Sequence, residues 1–151
     1  MNKGIGPALA RLVLMLLTLL IGCAFQVATC AACTPPPVPH VQPNSVVIQT
    51  LGPSPQEVLQ SVTLSDPALI NQLYNTIYTL PVLPENSACT LDYGPRYVLS
   101  FKQGNQPVVV VTAERFGCRK VTIDDEGIQR HGTEEFWSLL DQAIAAGTPT
   151  T

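Results

Sequence analysis

About a third of this chain is unavailable to a packed core, and that limit sets the size of everything else. Residues 34–43 read Thr-Pro-Pro-Pro-Val-Pro-His-Val-Gln-Pro, with five prolines in ten positions. Each proline locks φ near about −65° and removes a backbone donor. Such a segment builds neither helix nor sheet and runs as an extended spacer of about 3.1 Å per residue. Ahead of it, residues 12–21 are an uncharged apolar run preceded by Lys3 and Arg11. A positive start followed by an apolar run of that length is the signature of an export signal. Of the 151 residues, about 100 remain for folding, enough for one small domain with one core.

The apolar run stops at a glycine and a cysteine. Leu20-Ile21-Gly22-Cys23 resembles the bacterial lipobox, with a leucine three residues before the cysteine and a small residue directly before it. That resemblance implies cleavage after Gly22 and diacylation of the Cys23 thiol, which holds the mature N-terminus in a lipid bilayer. The expected layout is then a signal peptide over 1–22, an acylated cysteine and tether over 23–44, one domain over 45–147, and a tail over 148–151. A rival anchor is an uncut helix: residues 12–33 carry no formal charge and would reach roughly 33 Å, long enough to span a bilayer. Lys3 and Arg11 would then stay cytoplasmic. Gln26, Thr29 and the weaker hydrophobicity after Ala24 favour the lipobox. Either anchor leaves the domain on the extracytoplasmic face of the cell membrane.

Charge narrows the partners. Without Lys3 and Arg11, six basic residues face eleven acidic ones, a net charge near −5. An acidic chain with no Lys/Arg cluster suits neither nucleic acid nor electrostatic docking on anionic lipid. Of five cysteines, Cys23, Cys30 and Cys33 lie ahead of the spacer, while Cys89 and Cys118 fall in the folding part. In an exported domain this small, Cys89 and Cys118 read most simply as a disulfide. The alternative is a pair of unpaired buried thiols. A loop of about 30 residues closed this way contributes roughly 3–4 kcal/mol in the chain-entropy picture.

Periodicity outlines the domain. Residues 45–51, Ser-Val-Val-Ile-Gln-Thr-Leu, are β-branched and end at Gly52-Pro53, and residues 61–64 form a second short strand with Val62 and Leu64 on one face. Asp66-Pro67 is a helix start, with proline at the first helical position. Leu69, Ile70, Leu73, Tyr74, Ile77 and Leu80 then recur at helical spacing, so residues 68–79 bury one face until Pro81 and Pro84 end the helix. Tyr97, Leu99 and Phe101 alternate with Val98, Ser100 and Lys102 as in a half-buried strand. Residues 103–106, Gln-Gly-Asn-Gln, form a hairpin connection, and Val108-Val109-Val110-Val111-Thr112, apolar on both faces, reads as a central strand. Equal offsets from that turn bring Tyr93 opposite Phe116 and Leu91 opposite Cys118, with Cys89 close by. Residues 119–123 and 128–130 continue the sheet around an Asp124-Asp125-Glu126-Gly127 turn. Thr133 caps a last helix with Glu134 and Glu135 in its first turn, Phe136, Trp137, Leu140 and Ile144 on its face, and Gly147 at its end. The expected fold is α+β: a small antiparallel sheet with two helices packed on one face and one disulfide.

No motif brings chemistry with it. Cys30-Ala31-Ala32-Cys33 has the spacing of thiol oxidoreductases, but three prolines follow at once, and a local disulfide or further acylation fits better. Asp124-Asp125-Glu126 lacks the alternating oxygens of a calcium loop. His40 and His131 belong to no zinc set, and no serine sits in a nucleophile elbow. His131 beside Glu134 or Glu135 is explained by helix-cap solvation better than by acid–base work. No metal or other cofactor is expected. Arg115, Phe116, Arg119 and Lys120 bracket Cys118 and form a candidate contact patch for a partner, set against the plainer reading of ordinary strand-edge charges.

Cys89, Gly94, Tyr97-Val98-Leu99-Ser100-Phe101 and Gly117-Cys118 together resemble a motif of small exported proteins of Gram-positive-type bacteria: Cys, Gly, Tyr-x-Leu-x-Phe, then Gly-Cys about twenty residues on. The resemblance implies an extracytoplasmic disulfide-bonded domain and brings no activity or functional residue with it. The expected function is a non-enzymatic, membrane-anchored binding module whose partner is an extracytoplasmic protein or envelope component. An alternative is an inhibitor that plugs a partner enzyme with residues 84–89, and a third reading is a thiol redox protein using Cys30 and Cys33. Anchoring is directly testable: label from radioactive palmitate should vanish in Cys23→Ala and persist in Cys30→Ala. Label retained in Cys23→Ala moves the site elsewhere.

Overall fold

The computed structural model describes residues 41–54, 57–124 and 126–150. The expected signal segment, Cys23, Cys30, Cys33 and the expected tether up to His40 lie outside the described residues.

Seven strands form one antiparallel sheet. They are β1 (Ser45–Leu51), β2 (Val58–Leu64), β3 (Arg96–Gln103), β4 (Gln106–Glu114), β5 (Lys120–Ile123), β6 (Ile128–His131) and β7 (Thr148–Pro149), in the order β6-β5-β4-β3-β1-β2-β7. Two helices interrupt the strands: α1 (Pro67–Thr79) follows β2, and α2 (Glu134–Ala146) follows β6. Strand residues alternate between buried and half-open, as a period of two requires. Val46, Ile48, Val62, Leu64, Leu99, Phe101, Val111 and Ile123 fall on the buried side. They share one hydrophobic cluster with Ile70, Leu73 and Ile77 of α1 and Phe136, Leu140 and Ala143 of α2.

Both helices start as their sequences dictate. The Asp66 carboxylate accepts hydrogen bonds from the backbone N–H groups of Ala68 at 2.9 Å and Leu69 at 3.2 Å, filling two of the donors a helix start leaves open. Pro67, which has no N–H to satisfy, takes the first helical position. Thr133 caps α2 by accepting from the Phe136 N–H at 3.4 Å, with Glu134 and Glu135 in the first turn. The buried face of α1 includes Tyr78, which the helical spacing misses, while Leu69 is only partly buried. The Tyr74 ring sits edge-on to Phe101 at 5.3 Å, tying α1 to the middle of the sheet.

Three boundaries differ from the sequence expectation. β2 begins at Val58 rather than Ser61, because Val58, Leu59 and Gln60 are all exposed and show no alternation to read. The domain does not stop at Gly147: β7 pairs with Val62 and Thr63 of β2, and the Thr150 N–H donates to the Ser61 carbonyl at 2.9 Å. The tail assigned to 148–151 therefore contributes an edge strand. On the upstream side Pro43 is buried and the Asn44 N–H donates to the Lys102 carbonyl at 2.8 Å, so the domain takes in residues slightly before Ser45.

The β3–β4 register also shifts. A bulge between Phe101 and Lys102 places Tyr97 opposite Ala113 and Leu99 opposite Val111, one residue away from the offsets counted from the turn. Cys89 and Cys118 are nonetheless joined, with Cα atoms 4.8 Å apart. Cys89 lies in the coil between α1 and β3, and Cys118 lies in the β4–β5 turn. At the core, Leu73 is fully buried. Leu73→Ala should cost about 2–5 kcal/mol through the cavity it opens, and Asp66→Ala about 1 kcal/mol through the lost cap. Urea melts of the two variants check both figures.

Candidate functional site

The two ends of the sheet differ. At one end the chain joins β1 beside the β3–β4 turn, where the Gly104 N–H donates to Asn44 Oδ1 at 2.9 Å. At the other end the β1–β2 connection, the coil before β3 and the β4–β5 turn come together, because Leu51 pairs with Arg96 and Arg96 with Glu114. The Cys89–Cys118 bond fastens two of these loops to each other.

That end holds a depression of about 350 Å³ bordered by Pro53, Leu91, Tyr93, Gly94, Arg96 and Phe116. Leu91 is 85% exposed, Tyr93 87% and Phe116 43%. Isolated apolar residues on a surface mean little, but three large ones around one depression form a patch of the kind that marks interaction sites. Residues 90–94 make no hydrogen bond, backbone or side chain, to any other described residue. Their shape is held instead at the two ends. Cys89 is tied to Cys118, and the Phe116 ring lies so close over Gly94 that a Cβ there would sit 1.9 Å from its Cδ2.

The β4–β5 turn has its own demands. Gly117 has φ +62° and Arg119 φ +52°, a left-handed conformation that an arginine adopts only when its surroundings hold it there. The Arg119 carbonyl accepts from the Gly132 N–H at 2.7 Å. Its guanidinium pairs with Glu134 and lies over the Trp137 ring, 5.8 Å from the centroid. Arg115 approaches the same ring at 5.2 Å and donates to Asp141 Oδ1 at 2.6 Å and to the Trp137 carbonyl at 3.3 Å. Two cations thus lie close to the one indole, a contact favoured by the negative face of the ring. The hydrogen bond and charge of Arg119 hold the Glu134 carboxyl below its ordinary pKa.

Of the four residues expected to contact a partner, Arg115 and Phe116 border the open depression, and Phe116 is the one that leaves a large apolar surface open there. Arg115 and Arg119 are engaged around Trp137, and Lys120 Nζ lies 3.6 Å from Glu114. The segment 84–89 closes on itself, since both the N–H and the hydroxyl of Ser87 donate to the Pro84 carbonyl. It borders a separate cleft of about 200 Å³ that also reaches Cys89, Cys118 and Lys120. His131 ends β6 rather than opening the last helix, with Nδ1 3.0 Å from the Cys118 carbonyl oxygen. Leu91 and Tyr93 escape the sequence reading because they sit between Cys89 and Gly94-Pro95 in a stretch that reads as connection. The signal was there: two large apolar residues in a loop, with no partner strand to bury them.

Arg130 is the other residue the sequence hides. It is 2% exposed, donates from Nη1 to the Leu80 carbonyl at 2.8 Å, and has Glu126 Oε2 3.9 Å from Nη2. Its position two residues after Ile128 places both on one face of β6, which is the clue to its burial. It fastens the end of α1 to β6 through Nη1, while Nε and Nη2 have no hydrogen-bond partner among the described residues.

Among the described residues, no group of three or more His, Cys, Asp or Glu side chains is placed to hold a metal ion. No described helix is long and apolar enough to cross a membrane. No family model, curated protein or solved structure matches the chain, and nothing positive points to enzymatic activity. What the site offers is an apolar rim on a covalently fastened loop.

The packing of Phe116 on Gly94 is open to a double-mutant cycle. Gly94→Ala should destabilise by about 1–3 kcal/mol, because the methyl group must displace the ring. In a Phe116→Ala background the same change should fall within about 0.5 kcal/mol of neutral. Equal effects in the two backgrounds would show the two residues to be uncoupled.

Proposed function

We propose that this protein is an extracytoplasmic lipoprotein, anchored through Cys23, whose domain is a non-enzymatic binding module presenting Leu91, Tyr93 and Phe116 to a protein partner. One observation carries the reading: the exposed apolar rim lies at the end of the sheet opposite the point where the chain joins β1. The seven residues of β1 separate the two ends by roughly 23 Å. A domain tethered from upstream of Asn44 would turn this rim away from the membrane. Both helices occupy the same face of the sheet in this reading, as a shared core and mutual contact of α1 and α2 suggest. The loop end is then a rigid tip rather than part of a layered body.

Aromatic side chains suit such a task, since each supplies a large contact area for few frozen rotors. A small number of central residues of this type carries most of the binding energy in measured interfaces.

The unpaired main chain of residues 90–94 favours a second reading, in which this loop enters the cleft of a partner enzyme and suppresses it. Its free N–H and C=O groups can pair with an extended groove, as in strand-addition complexes. The inhibitory segment would then be residues 90–94 rather than 84–89.

The test places a photo-crosslinking phenylalanine at Tyr93 or, as a control at the opposite end of the sheet, at Gln103 in the intact cell envelope. An adduct expected from position 93 and not from 103 supports the rim as the binding surface. Adducts from neither, or from both equally, defeat that reading. An adduct with an enzyme whose activity recovers in Leu91→Ala/Tyr93→Ala selects the inhibitor. Either way, that double substitution should weaken binding by at least about tenfold, the effect expected when central apolar contacts are truncated.

A further inference from the structure

We propose that the Cys89–Cys118 disulfide is a reducible clasp on the apolar loop, dispensable for the sheet and its core. Three observations lead there. Neither cysteine belongs to the hydrophobic cluster, and both lie outside the strands, one in the coil before β3 and the other in the β4–β5 turn. Cys89 is exposed, and both cysteines border the cleft of about 200 Å³ next to residues 84–87, so a reductant can reach the bond. Residues 90–94 have no hydrogen bonds of their own to other described residues, so the disulfide and the Phe116 contact are what hold them.

The chemistry is thiol–disulfide exchange with a dithiol, either a small molecule or a protein with paired thiols. A thiolate of the reductant attacks the exposed Cys89 Sγ, forming a mixed disulfide, and Cys118 leaves as a thiolate and takes up a proton. The second thiol of the reductant then attacks its own sulfur in the mixed disulfide and releases Cys89 as a thiol. Two electrons pass from the dithiol, which ends as a disulfide, to the Cys89–Cys118 pair. The reduced domain keeps the β3–β4 ladder, α1 and α2, whose contacts do not involve either cysteine. It loses the fixed course of residues 89–93, and with it the arrangement of Leu91 and Tyr93 beside Phe116. If that rim is the binding surface, reduction removes binding without unfolding the protein. The clasp itself stands or falls separately from what the rim binds.

The experiment uses the full chain, with and without dithiothreitol, and subtilisin as the probe of loop opening. Cleavage beside Leu91 or Tyr93, read by intact mass, should accelerate by about tenfold or more on reduction, because nicking follows the population of the open loop. Hydrogen exchange of residues 97–101 and 109–113 should stay protected under the same conditions. Cys89→Ser/Cys118→Ser should reproduce the rapid nicking with no reductant present. Equal cleavage in the oxidised and reduced chain would overturn the clasp. So would loss of protection across β3 and β4, or a double variant that fails to fold, because either result makes the bond a condition of the core.

Discussion

Strands β1 to β5 each turn one side to the same buried cluster, and the bulge between Phe101 and Lys102 decides which side β4 turns. Counted straight from the Gly104-Asn105 turn, β4 would place Val108, Val110 and Thr112 opposite Phe101, Leu99 and Tyr97. The extra residue moves the register by one, so that Val109, Val111 and Ala113 take those places. A one-residue slip in a strand exchanges its two faces completely, and here the exchange keeps the Thr112 hydroxyl out of the core. β5 follows, pairing Ile123 with Val111 and Val121 with Ala113, and β6 follows β5. Arg130 therefore arrives opposite Val121 on the core side. Its burial is a consequence of register, offset only in part by the Nη1 bond to the Leu80 carbonyl and the Glu126 carboxylate 3.9 Å from Nη2, since Nε and Nη2 have no hydrogen-bond partner among the described residues. A buried guanidinium without such partners would cost several kcal/mol.

Much of this was readable in the chain because the signals are local. Tyr97, Leu99 and Phe101 alternate strictly, Asp66-Pro67 and Thr133 with Glu134-Glu135 mark helix starts, and Gly104-Asn105 marks a hairpin. Each depends on residues within a turn or two of one another. What escaped depends on distant parts of the chain. Val58 to Gln60 are strand only because β1 holds them, and Thr148-Pro149 only because β2 offers an edge. Nothing in Val108-Val109-Val110-Val111 announces a bulge, since four apolar β-branched residues in a row suit either register.

The site shows the same division. Arg115, Arg119 and Lys120 look like a solvent-facing basic patch when read as a string, yet Trp137, almost twenty residues further along, gathers the two arginines. Leu91 and Tyr93 look like loop filler but end up among the most exposed large apolar side chains of the domain. Burial is cooperative and non-local, so a sequence tells which residues can be core more readily than which will be left outside. The disulfide was the exception, because the folding part of the chain holds only two cysteines and so leaves a single pairing to choose.

The two outer edges of the sheet are not alike. Along β6, Val82 pairs with Arg130, the Leu83 N–H donates to the Gln129 carbonyl, and the His131 N–H donates to the Pro81 carbonyl. That edge is closed by the chain itself. Along β2, the short β7 covers Val62 and Thr63, and the exposed Val58 and Leu59 lie beyond it. Polymerisation by strand addition needs a donor and an acceptor edge on every unit. A molecule with one closed edge can join at most one neighbour this way, so self-association through the sheet terminates at pairs. At high local concentration, that geometry guards against growing fibres even where many copies stand side by side.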